Sequence, residues 1–567
     1  MSSLEKSAEH QLDRPQEEDT GKITLRSWLY ALIGALLYFT ISFHLAGTSV
    51  IRTSWAASFG IGDLSIWLIN IISVFQACLG PPLMFCSDMF GRRYILMATT
   101  ALATAGAAIS SKSSSFAMAI VGQSLTGIGM CMVGCAYAIP SEVFPRKSRG
   151  AVQAILTCSA SISGAVGALL GGAFIKSDPQ NGWHKFLYVT TALFAATFIT
   201  VAALYFPPPR HTEFSNLRTS EKLRKLDPVG YLLIIASLCL FLTGTTYGGI
   251  LGWTVPRTLG PLIVGIVLMI CFGLYEWKGT STGLLHHGMF QKRNFPIALG
   301  AMAIEGVIFF NILAFVPVAA SALWQPQDPF MAAAYIIPFY LASLPIFFVL
   351  GWYTTKFKEF RVPLACGYAL YLAACAALST ADRNSGNAAW AYVALSGIGF
   401  AAPIALLVAV AQLAVPGQFL GACSALMVSA RAVGGSIGTS IYGAILGSKL
   451  SASIPTKIAE GAFKGGLNPA DAQAVLPQLI PLVASQNPEL IQSAFQIPGV
   501  TPPIVISAIK GLQDAVAGGL KYVFIAGAAF SAAGILSVLV LKSSQQSMTT
   551  VIDAPAQEQK GGDAGQA

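Results

Sequence analysis

The chain has 567 residues, 54% of them hydrophobic and only 10% charged, with a mean hydropathy of +0.65. A soluble domain carries about 25% charged residues, so a soluble enzyme or scaffold is excluded. The net charge of +9 does not signal nucleic acid: the basic residues lie in short turns between apolar stretches, with no Lys/Arg cluster interleaved with aromatics.

Residues 1–27 are polar and carry Glu5, Asp13, Glu17, Glu18 and Asp19, which reads as a disordered cytoplasmic tail rather than a cleaved signal. A bilayer core of about 30 Å takes roughly 20 apolar residues per helix. That measure places six spans at 28–51, 65–85, 94–111, 115–139, 151–175 and 186–206, an N-terminal bundle over 28–206. A cytoplasmic linker follows at 207–228, opened by Pro207-Pro208-Pro209 and closed by Asp227-Pro228. Two further spans, 229–251 and 258–276, form an inserted pair. Six more at 296–319, 330–353, 362–380, 388–415, 420–446 and 522–541 make a C-terminal bundle over 277–541. That bundle contains a long loop at 447–521, expected to be extracellular with short helices on the outer interface, and residues 542–567 form a cytoplasmic tail. The predicted class is therefore an all-α polytopic membrane protein of fourteen helices, two six-helix bundles plus an inserted pair.

With both termini inside, 22 of the 34 Lys and Arg residues fall on the inner side, 11 outside, and Arg431 within a span. The inner turns hold compact clusters, among them Arg92-Arg93, Arg146-Lys147-Arg149, Lys222-Arg224-Lys225, Lys292-Arg293 and Lys356-Lys358-Arg361. This asymmetry fixes the expected orientation. All ten cysteines lie in or beside apolar stretches and read as small packing residues. Cys131 and Cys135 share a helix face, but no histidine joins them, so no metal or other cofactor is expected.

Ionisable groups inside spans are expensive and are candidates for function. His44, Glu305 and Arg431 are of this kind. Glu305 sits mid-span among apolar neighbours, where a carboxyl can take up and release a proton. Arg431 can neutralise a carboxylate or meet an anionic substrate. Amides and aromatics supply a candidate substrate surface: Gln76, Gln123, Asn311, Tyr335, Tyr340, Gln412 and Tyr442. The fifth span reads S-G-A-V-G-A-L-L-G-G, and its Gly164, Gly167, Gly171 and Gly172 suit close helix packing.

The turn after the second span, C-S-D-M-F-G-R-R, places Asp88 before Gly91, Arg92 and Arg93, able to form charge-assisted bonds across a tight turn. A weaker echo follows the tenth span, with Gly351, Thr355, Lys356 and Arg361. The first of these turns resembles the signature loop of the major facilitator superfamily, with Met84 where the family usually has glycine. The resemblance implies a gate that holds one conformation closed, in which Glu142 mirrors Asp88 beside Arg146 and Arg149. The fifth span also resembles the antiporter motif of drug:proton exchangers, with Ala168 in place of proline, and Gln123 stands where that branch often has arginine. The stretches 138–150, 205–209, 226–231 and 429–438 are similar to the fungal trichothecene efflux pump-like group.

No G-x-x-x-x-G-K-[ST] sequence occurs, so an ion gradient rather than ATP is expected to supply energy. The expected function is proton-coupled efflux of a small amphipathic toxin, drug or secondary metabolite by a monomer in the lipid bilayer, with no enzymatic activity. The plasma membrane is the expected site, with a vacuolar or other endomembrane as the alternative. Siderophore–iron uptake by proton symport and a non-transporting receptor on the same fold are the competing readings.

Overall fold

Fourteen helices long and apolar enough to cross a membrane account for most of this computed structural model, which describes residues 23–61, 64–207, 227–280, 287–325, 328–485 and 488–553. The acidic N-terminal segment before Ile23, most of the linker with Lys222, Arg224 and Lys225, and the tail beyond Asp553 lie outside the described residues. The helices are α1 (Leu25–Ala57), α2 (Trp67–Phe90), α3 (Arg92–Ser111), α4 (Phe116–Val143), α5 (Arg149–Ser177) and α6 (Gly182–Leu204). The inserted pair is α7 (Pro228–Leu251) and α8 (Pro256–Leu274). The last six are α9 (Asn294–Ala319), α10 (Pro329–Phe357), α11 (Arg361–Ser379), α12 (Gly386–Ala414), α13 (Leu420–Lys464) and α14 (Pro502–Leu539).

Helices are the form such a sequence must take, because hydrocarbon offers no partner to an unpaired backbone N–H or C=O. Four of them start at polar caps that satisfy the first free amides. Thr24 accepts from Ser27 N, Ser115 from Met118 N, Asp227 from Gly230 N, and Asp328 from Phe330 N and Met331 N. Proline in the first turn of α7 and of α10 loses no hydrogen bond there.

Glycines decide which helices cross closely. A Cβ on Gly167 would lie 2.5 Å from the Phe43 carbonyl oxygen, so α5 rides against α1. One on Gly171 would lie 3.3 Å from the Gly47 oxygen on the same crossing. On the other side of α5, Gly164 and Gly172 face Tyr340 and Ala333 of α10 at 2.6 and 2.7 Å by the same measure. The motif at 429–438 serves α13 likewise: a Cβ on Gly434 would sit 1.9 Å from the Ala303 oxygen of α9. Helix α7 bridges α2 and α13, with Asn70 Nδ2 donating to Thr246 Oγ1 at 3.4 Å and Gly249 set against the Ser440 backbone. Helix α8 leaves Ile263, Val264, Ile266, Val267 and Ile270 exposed, the mark of a helix facing lipid.

The 447–521 segment differs from the expected loop. Helix α13 continues to Lys464 and α14 starts at Pro502, with a short helix at Ala472–Ala484 between them. Gly461 and Gly511 let the two extensions meet backbone to backbone. The short helix buries Val475, Leu479 and Val483 in the protein core cluster, so its apolar face is covered by protein rather than lying on an interface.

Candidate functional site: a gate, a central cavity and a buried ion pair

At the face carrying the basic turns, Gly91 adopts φ 99°, which ends α2 and starts α3 within one residue. That tight turn brings Arg92 back over Asp88, with Nε and Nη2 donating to Asp88 Oδ1 at 3.1 and 3.0 Å. The same guanidinium donates through Nη1 to Glu142 Oε2 at 2.7 Å. Glu142 therefore pairs with Arg92, not with Arg146 and Arg149 beside it in sequence, because the end of α4 turns it toward α2 and α3. Arg93 points elsewhere: it donates to the Ala202 carbonyl at 2.9 Å and stacks over Phe206. Asp88 also faces Gly421 at the start of α13, across the boundary between the bundles. Met84 packs on Gly134 of α4, so the bulk at that position is matched by a missing side chain on its neighbour.

Arg146 and Arg149 turn to a partner that sequence reading missed, Asp553 in the C-terminal tail. Arg146 Nη2 meets Asp553 Oδ1 at 2.6 Å, Arg149 Nη2 also bonds Asp553, and Arg149 Nη1 donates to the Gln412 carbonyl at 2.8 Å. The tail runs alongside the α4–α5 turn, with Arg146 N and Lys147 N donating to Val551 and Thr549 carbonyls at 3.1 and 2.9 Å. Asp553 also abuts Gly417 in the α12–α13 turn, so the tail straps one bundle to the other. Asp553→Asn should loosen this closure. Charge-assisted bonds contribute about 1.5–3 kcal/mol each, so Cys423, buried beside Arg149, should react with N-ethylmaleimide up to about tenfold faster. An unchanged labelling rate, read by peptide mass spectrometry, would show that the strap holds nothing.

Midway through the molecule lies a small cavity of about 70 Å³, walled by Tyr38, Tyr137, Phe309, Tyr340, Phe400 and Arg431 with Gln76 at its edge. Its polar wall is an ion pair: Arg431 Nε to Glu305 Oε2 at 2.7 Å, with Nη2 to Oε1 at 3.4 Å. Glu305 is fully buried, while Arg431 keeps 16% of its side chain exposed toward the cavity. The guanidinium carbon sits 4.1 Å from the Phe309 ring centre, a cation–π contact that holds the charge in place. Opposite, Tyr137 Oη donates to Tyr38 Oη at 2.7 Å. Two groups singled out from sequence only by charge thus meet across α9 and α13.

This helical architecture has known counterparts. The family model described as Major Facilitator Superfamily matches residues 31–439. The chain belongs to that superfamily. It is 24% identical over 427 residues to the MFS-type transporter ucsD of an Acremonium species, covering 73% of this chain and 70% of that one. It is 22% identical over 498 residues to the efflux pump FUS6 of Gibberella moniliformis, covering 86% of each. Among solved structures, a bacterial homolog of the human lysosomal transporter Spinster, inward-facing and unoccupied, aligns with a TM-score of 0.54 at 15% identity, over 92% of this chain and 98% of that one. The protein is thus a multi-pass membrane transporter of the major facilitator fold, the family its turn after α2 resembles, and its fungal efflux relatives accord with the narrower resemblance.

On the major facilitator frame the remaining candidates fall into two groups. Gln76 and Tyr340 line the central cavity. The others do not. His44 Nε2 and Gln123 Oε1 lie 3.0 Å apart, buried where α1 meets α4. Asn311 Nδ2 donates to the Val523 carbonyl of α14 at 3.2 Å, and Tyr442 is buried against Phe315. Gln412 ties α12 to α13 through Ser424 at 2.9 Å, near the gate. Tyr335 stacks between Trp324 and Trp390 at the far end. Composition could not sort these, since an aromatic or amide in a span packs between helices as readily as it faces a cavity. Tyr38, Tyr137, Phe309 and Phe400 carried no signal beyond being aromatic.

Proposed function

We propose that this transporter exports a small amphipathic organic molecule by alternating access, in exchange for protons. The observation that carries the reading is the Glu305–Arg431 pair set in the wall of an aromatic cavity. When Glu305 binds a proton, its hold on Arg431 weakens and the guanidinium is free to move into the cavity; when cargo fills the ring-lined cavity, Arg431 is pressed back onto Glu305 and the proton leaves to water. Cargo and proton then compete for one site, which is the requirement of exchange in opposite directions. Fungal relatives named as efflux pumps support outward transport.

In this reading Asp88, Arg92 and Glu142, with Arg146, Arg149 and Asp553, form the inner gate, and both termini lie in the cytoplasm. The protein acts as a monomer in the plasma membrane, and its bundles are residues 28–206 and 277–541. Purified protein in liposomes with an imposed pH gradient tests the proposal. Accumulation of an amphipathic drug against its gradient, collapsed by a protonophore, is the expected result. Movement only of a chelated iron complex, inward, would replace it with the uptake reading, and binding with no flux of any candidate would replace it with a receptor.

A further inference from the structure

The larger cavity lies away from the central one. On the face opposite the basic turns, α1, α2, α7, α9 and α13 enclose a cleft of about 650 Å³. Its lining is mixed: Arg52, Asn70, Thr246, Thr439 and Ser440 are polar, the three hydroxyls donating to carbonyls of their own helices, and Phe315 and Val318 are apolar. Arg52 is partly buried in the last turns of α1, and no carboxylate pairs with it among the described residues. The contrast with its counterparts is informative. Arg92, Arg149 and Arg431 are each committed to an acidic side chain, whereas the Arg52 charge faces open cleft. A guanidinium partly withdrawn from water, with no carboxylate paired to it among the described residues, gains from the arrival of an anion.

We propose that this cleft is a binding site for amphipathic organic carboxylates, held by Arg52 with the Asn70 amide beside it and the apolar body against Phe315 and Val318. A volume of about 650 Å³ lies within the range of pockets for drug-sized ligands, roughly 300–1,000 Å³. A planar guanidinium matches a carboxylate through paired N–H donors, which a lysine at the same place does not reproduce. Residues from both bundles and from inserted helix α7 contribute, so the site exists only while this face is open. In the transport cycle it is the last station before release. The assignment names the chemical class of the cargo and so rests on the transport reading, but its test needs no transport.

The probes are 1-pyrenebutyrate and its uncharged analogue 1-pyrenebutanol, titrated against full-length protein in nanodiscs by fluorescence. The carboxylate should bind at least about tenfold more tightly than the alcohol, the contribution expected of one charge-assisted contact. Arg52→Gln should reduce that preference to less than about twofold, and Arg52→Lys should keep only part of it. Asn70→Asp, which places a carboxylate in the cleft and leaves Arg52 intact, should lose the preference as well. Equal binding of the two probes to the wild type, or a preference that survives both Arg52→Gln and Asn70→Asp with melting temperatures unchanged, overturns the proposal. Arg52-dependent binding without any flux would uphold the site while removing the export reading. Proton-driven flux with no Arg52-dependent preference would do the reverse.

Discussion

Glu305→Gln should abolish transport driven by a pH gradient while leaving exchange of cargo at equal pH intact. Glutamine keeps the shape of the side chain and one acceptor for Arg431, but it cannot carry the proton. Glu305 is fully buried, and among the described residues it is the one carboxylate paired with Arg431, so the task falls to it. The driven rate should fall by about 100-fold or more, equivalent to roughly 3 kcal/mol on the limiting step. Normal gradient-driven transport by this variant would remove the proton-exchange mechanism. The pair also carries a stability signature. Breaking a buried pair by removing one partner costs up to about 3–5 kcal/mol, less here because Arg431 keeps some exposure. Arg431→Gln should therefore melt below the double variant Glu305→Gln/Arg431→Gln, since only the single change leaves a buried charge alone.

Gly434→Val should yield little or no folded protein. A Cβ at this position would lie 1.9 Å from the Ala303 carbonyl oxygen, and on the facing helix one at Gly306 would lie 2.1 Å from the Arg431 carbonyl oxygen. The obstruction is backbone on both sides, so no side chain can swing aside. Inserting extra carbon into a packed core costs about 1–3 kcal/mol where side chains give way; here α9 and α13 must separate, which also draws Glu305 from Arg431. Gly447→Ala on the same helix is the control, because nothing lies within 4 Å of its added Cβ. Detergent extraction followed by size-exclusion chromatography reads the outcome. A monodisperse Gly434→Val protein melting like the wild type would show that the helices do not cross in this way.

The architecture was legible because the bilayer imposes a length and a composition on every span, and even the short stretch later found as Arg361–Ser379 met both. The charges of Glu305 and Arg431 were legible for the same reason, since hydrocarbon makes them conspicuous. Their contact was not, because 126 residues of chain separate them and the glycines at 434, 435 and 438, with Gly306 facing them, bring α13 close to α9. Asp553 was invisible for the opposite cause: an acid in a polar tail looks like any solvated acid until its partners are placed. Glu142 was assigned to its sequence neighbours Arg146 and Arg149, whereas the fold gives it to Arg92 and gives those arginines to the tail. Arg52 was counted simply as one outer positive charge, although its cleft is assembled from helices far apart in sequence.

Helix α7 has a consequence for how cargo can approach. It lies along the seam where α2 and α13 would otherwise face the bilayer, with Leu242 closing on Val74, Ala77 and Ala432. Lipid tails are thereby denied that side of the protein, and a molecule dissolved in the membrane cannot slip between the bundles there. Entry from the bilayer is left to the opposite seam, between α5 and α10, or does not occur. The inserted pair thus makes the two seams between the bundles unequal. Photoactivatable lipid should accordingly label α8 heavily and spare Val74 and Ala432, and labelling at those two positions would mean that α7 leaves the seam during the cycle.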